Sequence, residues 1–162
     1  MLMQRILGAF TFKREVYADV EHDTSFTNTA WGIVAFFALL AQVPAFFGPE
    51  TEASSPLTII LSIILSLLGF ALGAYVMAWV GKALFQADVT YEELVRTLGL
   101  AYVWRFLGVV PVLNCIVWIF IIAAWFIAVR EALDLDTGQT IITVIIGGLV
   151  SAFVSSMAAL IF

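Results

Sequence analysis

The chain has 162 residues, of which 63% are hydrophobic and 12% charged, with a mean hydropathy of +1.08 and a formal net charge of −5. Soluble domains run near ~45–50% apolar and ~25% charged, so this balance excludes an ordinary water-soluble core and points to a bilayer as solvent. The acidic balance speaks against nucleic acid as a partner, which would call for a basic face, and the single cysteine, Cys115, leaves no internal disulfide.

The first 28 residues do not read as a signal peptide. The apolar start MLMQRILGAF is short, and the charged run KREVYADVEHD follows it without a small-residue cleavage site. Leu2, Ile6, Leu7 and Phe10 recur at helical spacing, as do Val16, Tyr17 and Val20, with Arg5, Lys13 and Arg14 beside them. This pattern fits an amphipathic segment on the cytoplasmic membrane surface, or equally a tail packed on the protein's own loops.

Five apolar stretches follow, at about 29–48, 57–80, 94–110, 115–130 and 140–162. A span needs roughly 20 apolar residues, with ~17 as the lower limit. The spacing therefore predicts an all-α polytopic bundle of five spans, as one membrane domain from 29 to 162. Pro44 should bend the end of the first span. The third and fourth are short, so they need a thinned bilayer or little tilt, and a hairpin that dips in and returns is the alternative. Thr90 and Glu93 have the spacing of a capping box opening the third.

Small residues mark candidate packing faces. Ser62, Ser66, Gly69 and Gly73 share one face of the second span, as an intramolecular contact or a homodimer seam. In the fifth, Gly148, Ala152 and Ser156 form one stripe, and Ser151, Ser155 and Ala159 another.

With five spans, Arg5, Lys13, Arg14, Lys82, Arg96 and Arg130 fall on one side, and only Glu50 and Glu52 on the other. The positive-inside rule then places the N-terminus in the cytoplasm and the C-terminus outside, with Arg96 and Arg130 as charge anchors on the cytoplasmic side. Arg105 is the exception. It lies nine residues beyond Arg96, about 13 Å deeper at the helical rise. No carboxylate lies within any span to pair with it. Either it bonds inside the bundle, to Gln42, Asn114 or carbonyls freed near Pro44 or Pro111, or it reaches outward to lipid phosphate or to Glu50 and Glu52. An intramembrane charge also raises an ion or substrate site as a third reading.

Catalytic and metal-binding patterns are weak. His22 in EHD has neighbouring acids but no second ligand cluster, so a solvated acidic tail is the better reading. Asp134, Asp136 and Gly138 lack the further acids of a calcium loop, so Asp136 or Thr137 reads as a helix cap. Cys115 lies in an apolar run and reads as a small buried hydrophobe. The expectation is no enzyme, no cofactor and no metal.

Four stretches carry a family resemblance: VYADVEHD, YEELVRTLGLAY, IAVREALDLDTGQT and ITVIIG. With the five-span plan they resemble the bacterial branch of the Yip family, the Ypt-interacting membrane proteins. The resemblance implies an integral membrane protein of the bacterial inner membrane with a cytoplasmic N-terminal segment. Eukaryotic members bind prenylated small GTPases. That role does not transfer, because the Asp-Leu-Tyr-Gly-Pro motif is absent and the N-terminal segment is short. The expected role is a scaffold that organises membrane or recruits partners, in contact with membrane lipids and other integral membrane proteins. An accessory subunit of a larger complex and a small-solute carrier or channel are the competing roles.

Overall fold

The computed structural model describes residues 2–43, 55–109 and 114–161, and among these the regular structure is entirely helical. Two short helices open the chain, α1 (Leu2–Phe10) and α2 (Arg14–His22), followed by α3 (Phe26–Leu40). The long α4 (Pro56–Phe85) precedes α5 (Tyr91–Ala101), which runs on as a 3-10 helix, Tyr102–Val109. Last come α6 (Asn114–Leu133) and α7 (Thr137–Ile161).

Local chemistry sets several helix ends. Ser55 Oγ accepts the Thr58 amide at 3.2 Å and Pro56 takes the first turn of α4, where its missing N–H costs nothing. The helix stops at Gln86, whose φ of 57° leaves the helical region. Thr90 and Glu93 close the capping box predicted for α5: the Glu93 amide donates to Thr90 Oγ1 at 3.3 Å and the Thr90 amide to Glu93 Oε2 at 2.6 Å. Asp136 caps α7, accepting the Gln139 amide at 2.9 Å.

Three helices are long and apolar enough to cross a membrane, within α4, α6 and α7, and α3 is a shorter apolar helix. The expected span at 94–110 takes a different form. It is an α-helix of 11 residues that tightens into 3-10 geometry, and Leu94 through Trp104 are all buried. This element is enclosed by α2, α3, α4 and α6. The N-terminal segment also differs from a purely surface-lying helix. Ala9, Tyr17 and Val20 are fully buried, and α2 packs on α5 and α6. Only Leu2, Met3 and Leu7 on α1 keep exposed apolar side chains.

Phe12 turns the chain between α1 and α2 with φ 54°, a left-handed conformation costing roughly 1–2 kcal/mol. Its ring stacks on Trp104 at 4.8 Å, and Trp104 stacks in turn on Phe120 at 4.6 Å. The Trp104 indole N–H also donates to the Ala9 carbonyl at 3.2 Å. These contacts fasten the start of the chain to its middle. On the outer face of the hairpin, Arg5 bonds Asp19 at 2.7 Å and Asp23 at 2.8 Å.

Helices α4 and α7 form the most extensive helix pair. They run antiparallel, with Gly69 beside Ser151 and Ser155, and Gly73 beside Gly147 and Ser151.

Candidate functional site

Two arginines organise the interior, one at each end of the α5 element. Arg96 stands in the second turn of α5 and is 4% exposed. Its Nε donates to the Val20 carbonyl at 3.1 Å and the Glu21 carbonyl at 2.9 Å, and Nη2 also reaches Glu21 O. Nη1 reaches Thr27 Oγ1 at 3.3 Å. Val20 and Glu21 lie in the last turn of α2, where the carbonyls carry the negative end of the dipole, and Val20 O also accepts the Asp23 amide at 3.3 Å. Arg96 therefore clamps the end of α2 to α5 and to the start of α3. Helices α2 and α3 fold over it, so its charge is met by backbone carbonyls and a hydroxyl of the chain itself. Arg130, the second expected anchor, is half-buried in the last turn of α6, where positive charge suits the helix dipole.

Arg105 lies on the 3-10 helix. Its Nη1 donates to the Tyr102 hydroxyl and, at 3.5 Å, to Ser66 Oγ on α4. The guanidinium carbon sits 5.0 Å from the centroid of the Tyr102 ring, a cation–π distance. Tyr102 is in turn fixed edge-on against Phe70 at 5.3 Å. Neither partner was anticipated from sequence. Gln42, just past the end of α3, donates back to the Ala38 carbonyl at 3.4 Å. Glu50, Glu52, Pro44 and Pro111 lie outside the described residues, as do the side chains of Asn114 and Cys115.

Arg105 forms part of the wall of a groove of about 590 Å³ between the 3-10 helix, α6 and α7. Tyr102, Trp118, Ile121, Trp125 and Val144 make most of its apolar lining, and Ser151 and Ser155 add hydroxyls. The expected stripe of Gly148, Ala152 and Ser156 lies along this groove, with Ala152 and Ser156 exposed. It does not pack on α4. The neighbouring stripe of Ser151 and Ser155 does, together with Gly147, against Gly69 and Gly73. Ser66 is buried on the same side of α4, and Ser62 is half-buried one turn earlier. The structure thus brings Arg105, Ser66 and the small residues of α7 close together, while Arg96 and Arg130 belong to the opposite end of the bundle.

That opposite end also gathers carboxylates: Glu21 from α2 lies within electrostatic reach of Glu93 at the start of α5, Glu131 near the end of α6, and Asp134 in the turn that follows. Partial burial pushes the Glu21 carboxyl up. Asp134, Glu93 and Glu131 push it the same way, against a lowering by His22. The Arg14–Glu131 ion pair at 2.6 Å crosses the edge of this surface. No group of three or more His, Cys, Asp and Glu close enough to hold a metal occurs among the described residues.

A family model for the Yip1 domain matches residues 7–159, from the end of α1 nearly to the end of α7. The chain belongs to the Yip1 domain family. No curated protein and no solved structure gives a match. Membership and the three long apolar helices make this a membrane protein. The match includes both arginines, the acidic end and the groove, so all of these are parts of the Yip1 domain in this chain.

The residues that sequence reasoning missed are Tyr102, Trp104 and Phe120. Each read as one more apolar position of a span. The only local signal was the aromatic density of AYVWRF, and it carries no information about a contact with residues 9–12.

Proposed function

We propose that this Yip1-domain protein is a non-enzymatic scaffold of the bacterial inner membrane, and that it recruits a partner at the acidic end of its bundle. The observation that carries this reading is the convergence of Glu21, Glu93, Glu131 and Asp134 from three separate segments of the chain. Like charges brought together cost stability unless something else requires them. A basic segment of a partner would relieve that repulsion, and Arg96 and the Arg14–Glu131 pair hold the surface in shape. The one-sided distribution of basic residues supports a cytoplasmic N-terminus and acidic end, with the C-terminus outside. The third crossing in this topology is the α5 element with its 3-10 continuation, packed against α3, α4 and α6.

The test is a pull-down in gentle detergent with the wild-type chain and a Glu21→Lys, Asp134→Lys variant. A stoichiometric partner that is lost on charge reversal, with the fold unchanged, supports recruitment at this surface. A partner retained by the variant would instead select an accessory subunit docked through its membrane-embedded faces. Orientation is checked by cysteine labelling at positions 52 and 136 in a Cys115→Ser background, which should be reached from opposite sides of intact cells.

A further inference from the structure

We propose that the Arg105 groove is a binding site for one anionic membrane lipid, with the acyl chain lying along the groove and the phosphate on the guanidinium. The volume of about 590 Å³ is within the ~300–1,000 Å³ range of built ligand sites. Its rim opens sideways. Trp118, Ile122, Ile145 and Leu149 border it with 48%, 55%, 54% and 67% of their surface exposed, so what lies outside is hydrocarbon and not water.

Charge decides which lipid. Arg105 is the single charged side chain in the lining, and among the described residues its recorded partners are the neutral hydroxyls of Tyr102 and Ser66, both on Nη1. No carboxylate meets it there. A guanidinium has five N–H donors in a planar fork, and Nε and Nη2 have no partner among the described residues. An intramembrane arginine is costly without compensation, and a phosphodiester supplies both the charge and the acceptor oxygens that the fork fits.

Trp125 lines the groove with the ring edge that faces Gly148, and Ser155 and Ser156 add hydroxyls to its wall. A helix from another protein bearing an acid would meet Arg105 equally well. It would not fit a groove walled on both sides by α6 and α7 as closely as a single chain does.

The experiment is tryptophan quenching by brominated lipid, with the full chain in phosphatidylcholine nanodiscs. Trp118 and Trp125 report on the groove. Lipid-facing Trp79, 59% exposed, should be quenched alike by either headgroup and so supplies the baseline. Brominated phosphatidylglycerol should quench the groove fraction at about tenfold lower mole fraction than brominated phosphatidylcholine, which corresponds to ~1.4 kcal/mol. Arg105→Gln should abolish the preference and Arg105→Lys should keep part of it. Gly148→Leu should abolish it too by filling the groove, with the guanidinium left in place. A Cβ at Gly148 meets Trp125 at an ordinary 3.6 Å, so this variant should fold even if Arg105→Gln does not.

Equal quenching by the two lipids would overturn the proposal, as would a preference that survives Gly148→Leu. Displacement of brominated lipid by soluble glycerol phosphate would show recognition of phosphate without the chain, and would overturn the lipid assignment. So would a membrane protein that co-purifies stoichiometrically with wild type and is lost in Arg105→Gln, with no lipid preference in either.

Discussion

The α4–α7 pair and the α5 element are both apolar and both bear glycine, yet they are built for different surroundings. On α4, Ile60, Ile64, Leu68, Leu72, Tyr75 and Trp79 stay exposed, while the opposite face is reduced to Ser66, Gly69 and Gly73 against α7. Lipid tails are as apolar as leucine, so no hydrophobic force drives these helices together. Close backbone approach and dispersion must do it, and small residues allow both. In α5 and its continuation, every residue from Leu94 to Trp104 is buried in protein. There the contacts are specific: the Arg96 clamp, the Trp104 indole on Ala9, and the aromatic stack of Phe12, Trp104 and Phe120. One region is shaped by lipid on its outer face and the other, from Leu94 to Trp104, by protein around it.

The sharpest way to break the comparison is at Arg96. Arg96→Met keeps the length and apolar stem but takes the charged donor from the Glu21 and Val20 carbonyls and leaves Val20 O only the Asp23 amide. The expected loss is about 3 kcal/mol, seen as a lower thermal midpoint in detergent. Trypsin should then cut faster at the exposed Lys13 and Arg14, whose backbone is held at the start of α2 only while α2 is clamped. A variant that stays resistant would mean that packing alone holds α2.

Next in size is a contrast between two glycines. A Cβ at Gly69 would lie 2.7 Å from the Ser151 carbonyl oxygen and 2.3 Å from Ser155 Oγ, and the backbone atom cannot give way. Gly69→Ala should therefore cost about 2 kcal/mol by forcing α4 and α7 apart. Gly32 on α3 has nothing within 4 Å of a Cβ, so Gly32→Ala should be neutral or stabilise by up to ~1 kcal/mol. If both variants melt alike, the α4–α7 seam is not a close-packed one.

Those two regions also explain what could be read from the sequence. The all-helical membrane character was legible because it rests on composition and run length. The capping box of Thr90 and Glu93 was legible because it is local, its two residues three apart. Enclosure of α5 was not, since a lipid-facing and a protein-facing helix are apolar in the same way. The small stripes of α7 illustrate the limit well. Ser151 and Ser155 differ from Ala152 and Ser156 by one position, about 100° around a helix. Both rows are small, and only the partner on α4 selects between them. Arg105 was recognisable as out of place, but its partners Tyr102 and Ser66 depend on the 3-10 turn and on a contact across 39 residues.

The smallest effect tests the acidic end, where α5 begins. Burial, Asp134, Glu93 and Glu131 raise the Glu21 carboxyl above its unfolded value, so the folded protein binds that proton more tightly than the unfolded chain does. The sign follows from linkage. A raised carboxyl favours the fold below the unfolded pKa, and that advantage is lost as pH rises through the folded one. At neutral pH the ionised Glu21 is therefore a net burden. Glu21→Gln should stabilise the protein there, by less than about 1 kcal/mol, because the group is partly exposed and screened. The gap between variant and wild type should close as pH falls through the carboxylate range. Added salt should shrink it as well, since the repulsion from Asp134, Glu93 and Glu131 is a screened surface interaction. A variant less stable than wild type at neutral pH would mean that Glu21 contributes a contact outweighing the repulsion, and the acidic surface would then have no strain for a basic partner to relieve.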